Sequence, residues 1–157
     1  MFPTSGNGEI SEALELTQVV LHTIGLAHPG ALDLIDNGLF YNLRTALPEV
    51  DGALAALTGL DPQVRERVLE APGAMRIVEQ IAESAKAVLD GYATARLRLV
   101  HVTIASRTGR HRSVALAETV AHYLATAGVR TETCHHDLDH PAGHGVDDLV
   151  TGPGDLA

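Results

Sequence analysis

Apolar and polar positions change period along this chain, and the changes mark its elements. Val19-Val20-Leu21-His22-Thr23-Ile24 is a β-branched, apolar run closed by Gly25 and a His28-Pro29-Gly30 turn, which predicts a first strand. Ala31 to Ile35 predicts a second, short strand ending at Asp36. Asn37 to Pro48 shows no period and reads as irregular, and Pro48 to Leu57 reads as weakly helical. Asp61-Pro62 predicts a helix start, Asp as N-cap and Pro at the first helical position, with the helix ending near Leu69. Pro72 opens a longer helix with Met75, Val78, Ile81, Ala82, Ala85 and Leu89 on its inner face. Leu97 to Ala105 predicts a third strand, apolar enough to be covered on both faces. Ser113 to Ala127 predicts another helix, with Val114, Ala117, Ala121, Leu124 and Ala125 on one stripe and Gly128 as its stop. Val129 to His135 predicts the fourth strand.

Strands separated by helices imply an α/β fold: a mostly parallel sheet of about four strands, right-handed crossovers and helices on both faces. Ligands in such sheets sit at the carboxyl ends of the strands. Asp36, the 106–113 loop and His135-His136-Asp137 all fall at that edge. The loop, Ser106-Arg107-Thr108-Gly109-Arg110-His111-Arg112-Ser113, is small, polar and cationic, and it precedes a helix. A helix N-terminus offers unpaired N–H groups and the positive end of the macrodipole. Three arginines added there point to an anion, and to phosphate above others.

Composition narrows the class. The 157 residues make one domain, expected over 19–138, with a flexible lead over 1–18 and an acidic, Gly-, Pro- and Asp-rich tail over 139–157 expected to be disordered. Aromatics are scarce and Trp is absent, so the core must be aliphatic. The net charge of −9 repels nucleic acid and anionic membrane at long range. Charge is uneven, however: Arg96, Arg98, Arg107, Arg110 and Arg112 are five of the eleven basic residues. A single cysteine, Cys134, excludes an intramolecular disulfide and fits a reducing compartment. With no signal-peptide pattern and no long apolar run, a cytoplasmic location and no membrane partner are expected.

The run ASRTGRHRSVALAETVAHYL, with CHHDL downstream, resembles the C-terminal domain of the RapZ family, whose loop usually reads I-G-C-T-G-G-[KR]-H-R-S-V and whose later segment reads R-H-R-D-L. LTGLDPQVRERVLEAPGA, from Leu57 to Ala74, is similar to the family's T-G-L-D-P segment. Asp36 and Asn42 match its D-x-R-x-x-x-N-P pattern, and the resemblance spans roughly Val19 to Leu138. It implies a fold similar to a lobe of 6-phosphofructokinase, sensing of an amino-sugar phosphate and homo-oligomerisation. In some relatives it also implies binding of a small regulatory RNA and its presentation to a ribonuclease.

Departures from the family pattern bear on chemistry. The G-x-x-x-x-G-K-[ST] motif of the family's N-terminal P-loop domain is not in this sequence. Ser106 stands where the family has Cys, Arg107 where it has Thr, Thr108 where it has Gly, Gly38 where it has Arg and Leu43 where it has Pro. The family loop has the C-x5-R-S spacing of tyrosine phosphatase loops, in which a thiolate attacks phosphorus. A serine hydroxyl keeps its proton unless a base removes it, so Ser106 loses the nucleophile, and no catalytic residue is assigned. His111 is the one nearby candidate base. The loop remains a phosphate cradle.

Blander readings stand beside these. The arginines could pair with Asp36, Asp137 or Asp139 as a solvated loop. Asp36 could orient a substrate hydroxyl, with Asn42 and His135 as companions, or cap the following turn. His101, mid-strand, reads as a packed core histidine. Cys134, His135, His136, Asp137, His140 and His144 match no compact zinc spacing, so adventitious metal binding is expected, with no metal or other cofactor assigned. Three classes result: a sensor or regulatory module for a phosphosugar or nucleotide-like anion, an RNA-binding adapter, and a phosphatase-like enzyme. No Lys or Arg follows Arg130, which weakens the adapter. A phosphorylated small molecule is the expected ligand, and RNA at most a weak one.

Overall fold

The computed structural model describes residues 17–35, 38–91 and 99–140. Asp36, Arg96, Arg98 and His144, most of the 1–18 lead and most of the 139–157 tail lie outside the described residues. Four strands, β1 (Val19–Gly25), β2 (Leu39–Asn42), β3 (Val100–Ser106) and β4 (Thr131–His135), form one sheet in the order β2-β3-β1-β4. Every pairing is parallel. Among the described residues there are three α-helices, α1 (Pro62–Leu69), α2 (Ala74–Gly91) and α3 (Arg112–Thr126). The α/β class is as the pattern predicts, and the sheet, expected to be mostly parallel, is parallel throughout its described strands.

Two elements differ from expectation. Ala31–Leu34 is a 3-10 turn, not a strand. Gly30 enters it with φ 79°, and the Asp33 N–H donates back to the Gly30 carbonyl, so the segment satisfies itself locally. A short apolar run without alternation does not distinguish the two states. The real second strand is Leu39–Asn42, inside the stretch that reads as irregular. It is only four residues long, and the aromatics Phe40 and Tyr41 are its one strand signal. Between Pro48 and Leu57 the one helical piece is the 3-10 segment Gly52–Ala56.

Strand alternation sorts the core. Val19, Leu21, Val100, Val102 and Ile104 face the helices and join one cluster with Val64 and Val68 of α1, Val78, Ile81, Ala82, Ala85 and Leu89 of α2, and Leu116, Val120 and Leu124 of α3. On α2 Ala74 supplies the first buried position, whereas Met75 is exposed. Asp61 caps α1 as predicted, its carboxylate accepting from the Gln63 N–H at 3.0 Å. The three helices touch one another, α3 crosses β1, β3 and β4, and α2 reaches β3. They therefore form one layer, and helices for the second face, expected from the pattern, do not fall among the described residues. The crossover from β1 to β2 that would serve the second face carries only the 3-10 turn among the described residues. On that face Val20, His22 and His101 are half-buried and Phe40 is exposed. His101 is thus not the packed core histidine expected of it.

Register brings the carboxyl ends together. Gly25 lies opposite Ser106, Asn42 opposite Ala105 and Thr23 opposite His135. The loops leaving these positions make the edge on which the candidate site is built. Ile104 is fully buried at the middle of β3, between the helical layer and that edge. Ile104→Ala is expected to destabilise the fold by about 2–5 kcal/mol through lost transfer energy and a cavity, measured as a lower urea midpoint with an unchanged m value.

Candidate functional site

The 106–112 loop passes close over the end of β1. Gly109 has φ 74°, a conformation that L side chains rarely adopt. A Cβ there would lie 2.5 Å from the Gly25 nitrogen, and a Cβ on Gly25 would lie 2.3 Å from the Thr108 carbonyl oxygen. The two glycines let two backbones touch. Leu26 and Ala27 N–H groups donate to the Ser106 and Arg107 carbonyls at 2.9 Å each. The imidazole of His28 donates to the Thr108 carbonyl at 2.9 Å. Inside the loop, Ser106 Oγ accepts from the Gly109 N–H at 3.1 Å and pairs with Ser113 Oγ at 3.0 Å. Ser106 therefore shapes the loop, and its hydroxyl is engaged by backbone and serine rather than by a base.

Arg112 opens α3 and is almost fully buried. Its Nη1 donates to the carbonyls of Leu43, Arg44 and Leu47 at 3.1, 3.0 and 2.8 Å. Its Nη2 lies 3.4 Å from the Glu49 carboxylate. Burial pulls its pKa below the ordinary arginine value, and Glu49 opposes that pull. Arg107, half-buried, donates from Nε to the same Glu49 oxygen at 2.9 Å. A carboxylate thus bridges the two arginines. Arg110 turns away and donates to the Leu138 carbonyl at 3.1 Å.

His111 is buried, and its Nε2–H is shared between the Ala55 and Leu57 carbonyls at 3.0 and 2.8 Å. Burial is the main cause that lowers its pKa, with Arg110 and Arg112 adding to it, so the ring is neutral at pH 7. It does not contact Ser106 as a base would. The Thr58-Gly59 turn closes the wall: the Gly59 N–H donates to the Arg110 carbonyl at 2.7 Å, and a Cβ at 59 would meet the Ala115 nitrogen at 2.5 Å. The T-G-L-D-P match is therefore packed directly on the loop.

These groups enclose a cavity of about 120 Å3 lined by Glu49, Val50, Ala55, Ser106, Arg107, Thr108, His111 and Arg112. Of the residues predicted from sequence, Ser106, Arg107, Thr108, His111 and Arg112 meet there. Gly109 and Ser113 support the loop from behind, and Arg110 lies outside the cavity wall. Asn42 holds the turn after β2, accepting from the Arg44 N–H at 2.9 Å. His135 points to the helical side, donating to Glu118 at 2.7 Å and accepting from the Thr23 hydroxyl at 2.8 Å. Neither lines the cavity. At Gly38 a Cβ would meet the His101 carbonyl oxygen at 1.9 Å, so this backbone leaves no room for the arginine of the family pattern. Glu49 and the Ala55 and Leu57 carbonyls were missed, because they sit in a stretch with no periodicity and no motif.

The family model of the RapZ C-terminal domain matches residues 18–139. A nucleotide-binding protein of Frankia alni is 31% identical over 153 residues, covering 83% of this chain and 53% of that protein. One from Frankia casuarinae is 41% identical over 86 residues, covering 55% of this chain and 30% of that protein. One from Rubrobacter xylanophilus is 35% identical over 125 residues, with coverages of 77% and 40%. The chain spans about a third to a half of the length of these relatives.

Because the native state holds His111 neutral with a lowered pKa, the unfolded chain binds its proton more readily. The stability it contributes is present above about pH 6.5 and is lost as pH falls toward the folded pKa. His111→Gln keeps an N–H donor without the titration. It is expected to flatten the fall in melting temperature between about pH 7 and pH 5.5 relative to the parent chain.

Proposed function

The chain belongs to the RapZ C-terminal domain family, and from that membership we propose that it is a sensor or regulatory module binding a phosphate-bearing small molecule, a phosphosugar or a nucleotide-like anion, in the cavity of the 106–112 loop. One observation carries the reading: Glu49 places a carboxylate between Arg107 and Arg112, at the mouth of a loop that ends in a helix N-terminus. An anion is already bound there, and it is the protein's own. Glu49 is more than half exposed, and such a pair contributes about 0–1 kcal/mol. A phosphate dianion brings more charge and more acceptor oxygens to the same two guanidiniums, so displacement of Glu49 is favourable.

The cavity is well below the roughly 300–1,000 Å3 of pockets that engulf drug-sized ligands. It suits the phosphate group, with the sugar or nucleoside lying over the open edge. The relatives' names as nucleotide-binding proteins are consistent with that class of ligand. Arg112 holds the cavity wall and offers the phosphate its Nη2 edge, where Glu49 now sits, and Arg107 supplies the more accessible charge. Hydrolysis has no support in this arrangement, since Ser106 and His111 are committed to other partners.

Titration with inorganic phosphate, hexosamine phosphates and nucleoside monophosphates, read by NMR, is expected to move the amides of Thr108 to Ser113 first. Arg107→Ala removes one charge-assisted contact of about 1.5–3 kcal/mol and should weaken binding by about ten- to a hundredfold. Glu49→Gln removes the internal competitor and should tighten it. Phosphate affinity unchanged in both variants, or nanomolar RNA binding with none for small phosphates, would replace this reading with the adapter.

A further inference from the structure

The sheet face away from the helices carries an arrangement that anion binding does not use. His22 on β1 stands opposite Cys134 on β4, and in-register partners point to the same face. His136 follows Cys134 by two positions, and the intervening His135 points to the helical side. His22 sits between two other rings. Its Nδ1 is 3.1 Å from His136 Nε2, and its Nε2 is 3.1 Å from His101 Nδ1. The stacked rings have centroids 5.3 Å apart in both pairs. Ligand atoms of His22, Cys134 and His136 all lie within 4.8 Å of one another.

We propose that His22, Cys134 and His136 form a binding site for a borderline-soft divalent cation of the zinc type, with His101 positioning His22. Two nitrogens held on a tetrahedral zinc ion at about 2.0–2.1 Å stand roughly 3.3 Å apart. The His22–His136 pair is within a few tenths of an ångström of that separation already. In the metal-free state that contact holds the His136 Nε2–H against the His22 Nδ1 lone pair. On metal binding His136 carries its proton on Nδ1 instead, the Cys134 thiol proton leaves to solvent, and the cation sits between the two lone pairs. The Nε2–H of His22 then donates to His101 Nδ1, which fixes the tautomer whose lone pair lies on Nδ1, the ligating atom. Cys134 is exposed and its thiol is placed to close the set. One coordination position then remains for a further ligand.

The site is written into this chain's own residues. At the two positions where the family pattern R-H-R-D-L has arginine, this chain has Cys134 and His136. The expectation of adventitious binding came from spacing alone, which does not show that His22, distant in sequence, completes the set. A second cluster, His28, Asp137 and His140, is less suited. His28 is committed to the Thr108 carbonyl, and Asp137 accepts from the Gly25 N–H at 2.7 Å.

Cobalt(II) titration of the full chain tests the site. One equivalent should produce a thiolate-to-cobalt charge-transfer band in the near ultraviolet together with tetrahedral d–d bands, and zinc should displace it. Cys134→Ser should abolish the charge-transfer band. His22→Gln and His136→Arg should weaken affinity by at least about a hundredfold. His101→Phe should keep the charge-transfer band, shift the d–d bands and weaken affinity by about ten- to a hundredfold. His140→Asn should change nothing. No charge-transfer band in the parent chain, a band that survives Cys134→Ser, or binding lost in His140→Asn would overturn the proposal. Phosphate affinity, measured in the same samples, reports separately on the anion site.

Discussion

Arg112 is the residue on which the candidate site depends. A buried guanidinium must find acceptors, and here three are carbonyls of the irregular segment that follows β2. The need is mutual. Leu43, Arg44 and Leu47 are held against the start of α3, and the chain is thereby steered so that Glu49 reaches the mouth of the loop. Removing Arg112 would therefore do more than delete a phosphate contact. It would release the wall that makes the cavity a cavity. The same residue type at a half-buried position, Arg107, has no such duty and can serve a ligand.

Much of this was legible in the sequence. The 106–113 loop announced itself because a β-branched run, a glycine, three arginines and an alanine-rich helix follow one another without interruption. Asp61-Pro62 fixed the start of α1 for equally local reasons. What escaped notice was non-local. β2 is a strand because β3 offers it a ladder, and its own residues barely say so. Arg110 and Arg112 look alike in sequence, yet one turns outward to Leu138 and the other is buried among carbonyls. Glu49 is one of many acidic residues, and nothing near it signals that it faces two arginines. His22 and His136 are more than a hundred positions apart, and only the parallel pairing of β1 with β4 sets them in contact.

The protein is acidic overall yet presents a cationic cavity, and the two facts are compatible. At about 0.15 M salt, charges more than about 8 Å away are largely screened, so the distant carboxylates count for little inside the loop. What counts is the local set: two guanidiniums, one carboxylate and the aligned N–H groups of α3. Glu49 makes that set self-satisfied without a ligand. It also sets a threshold, because a monoanion gains little by replacing a carboxylate of equal charge, whereas a dianion gains. Discrimination between phosphate monoesters and weaker anions then follows from the internal competitor as much as from the arginines.

The anion loop and the histidine row lie on different faces of one edge, joined through a short run of backbone. Next to His136, Asp137 accepts from the Gly25 N–H, and Gly25 touches Gly109. Contiguity of this kind does not make the two sites act on each other. Coupling needs an element with two arrangements that both sites bias. The element with such freedom is Glu49, half in solvent, and it belongs to the anion site alone. Gly25, Gly109 and the Asp137 carboxylate are pinned by close backbone approach and by hydrogen bonds, so they have one arrangement available. The edge is therefore best understood as a rigid frame: it holds a switchable carboxylate on one side and a preset row of imidazoles on the other, and it transmits position rather than change.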